Sequence, residues 1–221
     1  MFDFEKSDLV FQTYRFTFSD IKGLRSRILG EKFGNIDPNL AREGREVEKN
    51  LLATLGNGGR PGRTNEFVLE QVLPSKVRME GQFSGDVVIA TETDIVSKGQ
   101  AYIDYYGGIC SAMRIIEVKN RDRLYPMDIF QALWMLTVAR LDEDVIDGGY
   151  DAIDCVVYPA KSEDYRIVDD QAREIFDEQI TLLITIARIL AEGKSLKASG
   201  RKDYKRQYLD TFNTLLNQIT Y

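Results

Sequence analysis

Residues 103–119 read IDYYGGICSAMRIIEVK, from Ile103 to Lys119. Two strand-like runs flank Gly107-Gly108, a pair suited to a turn, and the second run, 113–119, is the strongest strand signal in the chain. Side chains alternate along a strand, so Glu117 and Lys119 project from one face while Ile116 and Val118 project from the other. An acid and a lysine on one face of an otherwise apolar strand need a reason. Asp104 ends the preceding run, and pairing the two runs as a hairpin is expected to bring its carboxylate to Glu117. If the strands pair in another register, Asp94 takes that place, and Asp86 is a further carboxylate of the earlier hairpin. Two carboxylates and the backbone carbonyl of Val118 make a hard oxygen site suited to Mg²⁺ or Mn²⁺. Such an ion polarises a phosphodiester and stabilises its developing charge. Lys119 would then orient or deprotonate the attacking water, or hold a phosphate oxygen.

Working outward, residues 1–36 hold a strand around 9–18 and a basic segment with Lys22, Arg25, Arg27 and Lys32. Asp37 and Pro38 open a helix in which Leu40, Gly44, Val47, Leu51 and Leu55 recur every three or four residues, and Gly56 closes it. A glycine-rich loop follows, carrying Arg60 and Arg63. The spacing predicts a short helix over 66–73, ended by Pro74, then strands at 76–83, 86–95, 99–106 and 113–119. A helix at 125–141, a strand at 151–158 and helices at 169–192 and 202–220 complete the order, the last two linked by 193–200. The expectation is a single α/β domain over 1–221: a mixed central sheet flanked by helices, with a helical C-terminal extension.

This order resembles the PD-(D/E)XK nuclease superfamily, whose restriction-endonuclease-like core runs helix, three strands, helix, strand. An Asp ends its second strand and an E-x-K triplet lies on its third. The likeness covers about 38–158. Gly44-x-x-x-Glu48 on the helix before the sheet and Gln131 on the helix after it are similar to motifs of the branch holding lambda-type exonucleases, RecB-type nuclease domains and Cas4-like proteins. The resemblance implies Asp104 and Glu117 as metal ligands, Lys119 as the catalytic lysine, Glu48 as an accessory ligand and Gln131 as a substrate-positioning residue. It implies a Mg²⁺- or Mn²⁺-dependent deoxyribonuclease leaving 5′-phosphates, with exonuclease action favoured by the Gly44/Glu48 and Gln131 elements. A restriction-type or junction-resolving endonuclease would use the same residues, and a non-catalytic relative would bind nucleic acid or serve assembly. The chain departs from the pattern in two places: Ile103 rather than Pro precedes Asp104, and Met135 stands where the branch has Tyr. Two cysteines cannot hold the iron–sulfur cluster of Cas4-like relatives, and none is expected.

An E-x-K triplet alone carries little information; Asp20-Ile21-Lys22 and Asp203-Tyr204-Lys205 have the same form outside any strand context. The bland reading of Glu117 and Lys119 is a weak ion pair on an exposed edge strand. Glu48 lies in a run of charges of the kind that usually covers a solvated helix face, and Phe130 and Trp134 read as core. Composition narrows the chemistry further. There is no histidine among 221 residues, which excludes Ser-His-Asp and Cys-His nucleophiles and His-ligated metal centres. The formal charge of -6 speaks against a purely electrostatic nucleic-acid binder. Basic residues nevertheless cluster: Lys194, Lys197, Arg201, Lys202, Lys205 and Arg206 join Arg60 and Arg63 as candidates for contacting a DNA backbone. The apolar stripe Ile180, Leu183, Ile184, Ile186 and Leu190 packs internally or forms a homo-oligomer interface. Cys110 and Cys155 make no disulfide framework, the N-terminal residues lack a signal-peptide pattern, and no apolar run nears the ~18 residues of a membrane span. A soluble cytoplasmic protein with no membrane partner is expected.

Overall fold

The computed structural model describes residues 13–31, 38–56, 67–72, 77–103, 108–162, 164–192 and 198–219. In chain order these form β1 (Tyr14–Thr17), α1 (Phe18–Leu29), α2 (Pro38–Gly56), β2 (Phe67–Val72), β3 (Val77–Ser84), β4 (Val87–Thr93), β5 (Ile95–Ile103) and β6 (Gly108–Lys119). The remainder gives α3 (Pro126–Ala139), α4 (Glu143–Asp147), β7 (Ala152–Pro159), β8 (Arg166–Asp169), α5 (Asp170–Glu192) and α6 (Ala198–Ile219). The protein is mixed α/β, with mixed sheets flanked by helices.

The described strands form two sheets, one in the order β1-β4-β3 and a larger one in the order β2-β5-β6-β7-β8. β6 is the middle strand of the larger sheet, antiparallel to β5 and parallel to β7. A parallel neighbour cannot be reached by a tight turn, and α3 with α4 supplies the crossover. β4 passes into β5 through a single residue, Asp94, so the chain leaves one sheet and enters the other at that corner.

The two faces of the larger sheet are covered differently. On one, Ile95, Ile116, Val118 and Val156 pack against Val47, Leu51 and Leu52 of α2. On the other, Met113, Ile115, Cys155 and Val157 join α3, α5 and α6 in the main core. α3 is apolar around most of its surface because it is enclosed along most of its length: Phe130, Leu133, Trp134 and Met135 are all fully buried. Trp134 Nε1 donates to the Ala90 carbonyl at 3.1 Å, so the same helix also abuts the smaller sheet. Ile180, Leu183, Ile184, Ile186 and Leu190 of α5 are buried in this core, which settles the stripe as internal packing.

Three expectations need correction. Residues 67–72 form β2, antiparallel to β5, where a short helix is predicted. The run FVLEQV is rich in β-branched and aromatic residues and too short for helical periodicity to decide, and a following proline stops either element. The strand after 86 breaks at Asp94, earlier than the expected gap between 95 and 99. Finally, the 12-residue α1 stands where only a basic segment is expected, and β8 and the five-residue α4 are additional, these two below the length at which periodicity speaks.

Candidate active site

β6 delivers Glu117 and Lys119 to the α3 side of the sheet, while Ile116 and Val118 face α2. Lys119 Nζ donates to Glu117 Oε1 at 2.5 Å and to Gln131 Oε1 at 2.8 Å. Gln131 Nε2 donates to the same Glu117 oxygen at 2.8 Å, closing a three-membered ring of polar side chains. This is no exposed edge pair: the side chains of Glu117 and Lys119 keep only 8% and 14% of their surface exposed, and β6 is the central strand. Gln131 is aimed by its place on α3, a helix positioned by Pro126 at its first turn and by Asp128, which accepts from the Tyr125 N–H at 2.8 Å.

The second carboxylate is Asp94. Ile95 pairs with Ile116, so the corner residue before Ile95 lies level with Glu117 and Val118. Asp94 Oδ2 accepts the Val118 N–H at 2.9 Å. A strand residue's N–H and C=O point to the same edge, so the Val118 carbonyl also faces the Asp94 side. The hairpin expected to bring Asp104 to Glu117 has a different register. The last described residue of β5, Ile103, pairs with Gly108, nine residues short of Glu117 and so roughly 30 Å away along the strand. Asp104 itself lies outside the described residues, as do Arg60, Arg63, Lys194 and Lys197.

Glu48 is half-buried on α2. Helical geometry places it between Leu51 and Leu52, on the arc of α2 that packs against the sheet. The helix reaches the end of β6, where Asn120 Nδ2 donates to Glu43 at 3.4 Å. Asp86 stands apart, paired with Arg188 of α5 at 2.8 Å. Arg201 and Lys202 are exposed on α6. Asp20 of the first decoy triplet caps α1, its carboxylate accepting the Thr17 N–H at 2.8 Å, and Asp203-Tyr204-Lys205 lies on α6.

An open cleft of about 430 Å³ borders the ring, with Lys119 and Gln131 in its wall. Lys22 of α1 and Arg121, just past β6, give it a positive lining, and Tyr125 stands at its edge. Arg121 is ion-paired with Asp128, and its guanidinium carbon lies 4.9 Å from the Tyr125 ring centre. The sequence places Lys22 in a basic segment and in a discounted triplet, and it does not single out Arg121, Tyr125 or Asp128 for the site; the signal for Arg121 is its position two residues beyond Lys119. Cys155, on neighbouring β7, is fully buried, and burial, reinforced by the Glu117 carboxylate, pushes its thiol well above the usual range. It is a packing residue and no nucleophile.

Among the described residues no three Asp, Glu or Cys side chains gather around one point. A cation here would take two carboxylates and a backbone carbonyl from the protein and complete its shell with water or substrate oxygen, the habit of Mg²⁺. Among the described residues, no helix is long and apolar enough to cross a membrane. No family model, curated protein or solved structure matches the chain.

Proposed function

We propose that this chain is a metal-dependent deoxyribonuclease of PD-(D/E)XK type, its site formed by Asp94, Glu117, Lys119 and Gln131. The observation that carries the reading is the ring of Glu117, Lys119 and Gln131, set beside the Asp94 carboxylate at the β4–β5 corner and opening onto a cationic cleft. The strand order supports it. With β3 and β4 taken as an insertion, α2, β2, β5, β6, α3 and β7 follow the helix, three strands, helix, strand sequence of that core, with β7 parallel to β6. In this reading Asp94 replaces Asp104 as the first ligand and Glu117 and the Val118 carbonyl keep their roles, while Glu48, on α2 across the sheet from Glu117, is left out of the ligand set.

The donor set is all oxygen and fits Mg²⁺ or Mn²⁺, with no part for an iron–sulfur cluster. When bound, the ion supplies polarisation of the scissile phosphodiester and of the attacking water. The protein's own residues do the rest. Gln131 holds Lys119 Nζ at a fixed point in the cleft wall, where the ammonium contacts a phosphate oxygen or orients the water. Lys22 and Arg121 guide the DNA backbone toward it without reading sequence.

Cleavage of labelled single-stranded, linear duplex and circular DNA with Mg²⁺ or Mn²⁺ tests the reading. Wild type is expected to degrade linear DNA and leave circles intact, the exonuclease outcome; nicked circles would indicate an endonuclease. Asp94→Ala, Glu117→Ala and Lys119→Ala should each lower the rate by about 10²-fold or more, while Asp104→Ala keeps it. Full activity in Asp94→Ala with loss in Asp104→Ala would reverse the ligand assignment. A wild type that binds DNA with steep salt dependence but never cuts it would make the protein a binding or assembly module.

A further inference from the structure

A second cavity, of about 330 Å³, lies between α1, α5 and α6. It is separate from the cleft: Phe18 and Lys22 of α1 line the cleft, whereas Leu24 and Arg27, on the other face of that helix, line the cavity. Its chemistry is two-sided. Phe16, Leu24 and Leu190 form an apolar floor, and Arg27, Arg201 and Lys205 stand around it. Arg201 and Lys205 are one helical turn apart on α6 and so share a face. Neither has an ion-pair partner among the described residues, and Arg27 Nε only touches its own helix, at the Gly23 carbonyl. The other two charges of the cavity are committed elsewhere. Arg15 pairs with Glu80 at 3.0 Å, and the Asp20 carboxylate is held by the Thr17 N–H and hydroxyl. The space exists because α5 presents Ala187 and Ala191 there, where a larger side chain would fill it.

We propose that this cavity is a second binding site, taking a nucleoside 5′-monophosphate: the phosphate on Arg27, Arg201 and Lys205, the base against the apolar floor. Guanidinium groups match phosphate oxygens in paired hydrogen bonds, and an ammonium adds a third contact. An apolar floor with cations around it suits an anion that carries a flat ring, more than a bare anion. The volume lies at the small end of the ~300–1,000 Å³ range of ligand sites, which fits one nucleotide and excludes a strand. The site does not depend on the nuclease reading, since it shares no residue with the cleft.

Calorimetric titration of the full chain in the presence of EDTA tests it, with dAMP, deoxyadenosine and inorganic phosphate as separate probes. dAMP should bind, and each of the other two more weakly by about tenfold or more, because each forfeits one half of the contact. Arg201→Glu and Lys205→Glu, both on the exposed side of α6, should weaken dAMP by at least that factor. Ala191→Phe, which fills the floor, should abolish it, and Lys119→Ala should leave it unchanged. Phosphate binding as tightly as dAMP would overturn the nucleotide assignment. dAMP binding that survives Lys205→Glu but is lost in Lys119→Ala would place the ligand in the cleft and overturn the site. No heat with dAMP at millimolar concentration would overturn the proposal altogether, whatever the DNA cleavage assay shows.

Discussion

Glu117 and Lys119 hold each other at 2.5 Å with Gln131 bridging them, in surroundings that leave both side chains little water. Removing one partner of such a pair leaves the other charge without its counterpart, which costs more than removing both. A double-mutant cycle with Glu117→Gln and Lys119→Met should therefore show a coupling of about 1–3 kcal/mol in urea unfolding. Additive losses would mean that the pair is screened by water as on an open surface. These residues were legible in the sequence because the period of two on 113–119 sets an acid and a lysine on one face whatever the partner strand does. The first carboxylate was not. Both Asp94 and Asp104 end strand-like runs, and choosing between them needs the pairing of β5 with β6, a register fixed by tertiary contacts such as Asp94 with the Val118 N–H. Glu48 shows a third case: a charge run on the surface of the sequence whose member falls on the packed arc of α2.

At the scale of elements, β3 meets the end of α3 closely enough to exclude a side chain. A Cβ on Gly81 would lie 2.3 Å from both the Cβ and the carbonyl oxygen of Leu141. The contact is a backbone bridge from Gly81 to Asp142, whose carboxylate accepts the Glu80 N–H at 2.9 Å and the Val145 N–H at 3.2 Å. Gly81→Ala must push β3 off this joint, and about 1–3 kcal/mol of stability should be lost by denaturant titration. An unchanged midpoint would show the joint to be loose. Nothing in the local sequence announces this glycine, because the element it approaches lies some sixty residues further on. The same holds for β2 and β8: short outer strands take their conformation from the neighbour they pair with, and local pattern undetermines them. Long elements behaved otherwise. α2, α3 and α5 were readable since many turns repeat one apolar face, or bury most of the surface.

Across the whole molecule, side chains of α5 and α6 tie the C-terminal helices back to α1 and to the smaller sheet. Tyr208 of α6 is fully buried and donates its hydroxyl to the Ile21 carbonyl of α1 at 2.8 Å, and burial pushes its phenol upward. Arg188 of α5 grips Asp86 in the β3–β4 turn and holds that carboxyl below its usual range. A carboxyl lowered in the folded state adds stability above its unfolded value, near ~3.9, and the contribution fades as pH falls through the folded value. Arg188→Gln should thus be less stable than wild type at neutral pH, with the gap in unfolding midpoint narrowing steadily below about pH 4. A gap that stays constant with pH would assign the arginine's contribution to packing alone. The overall α/β class followed from the order of long elements, but the division into two sheets did not, because one residue at a corner separates β4 from β5.

That corner has a consequence for loading. Counting formal charges, Asp94 and Glu117 contribute two negatives and Lys119 one positive, so the site carries a net -1. In the proposed nuclease a divalent cation would turn this to +1, and a phosphodiester would bring it to neutral. Neither ligand alone would balance the centre, whereas both together would. The nuclease reading therefore predicts that metal and DNA binding are reciprocally linked, each raising the other's affinity by the same factor.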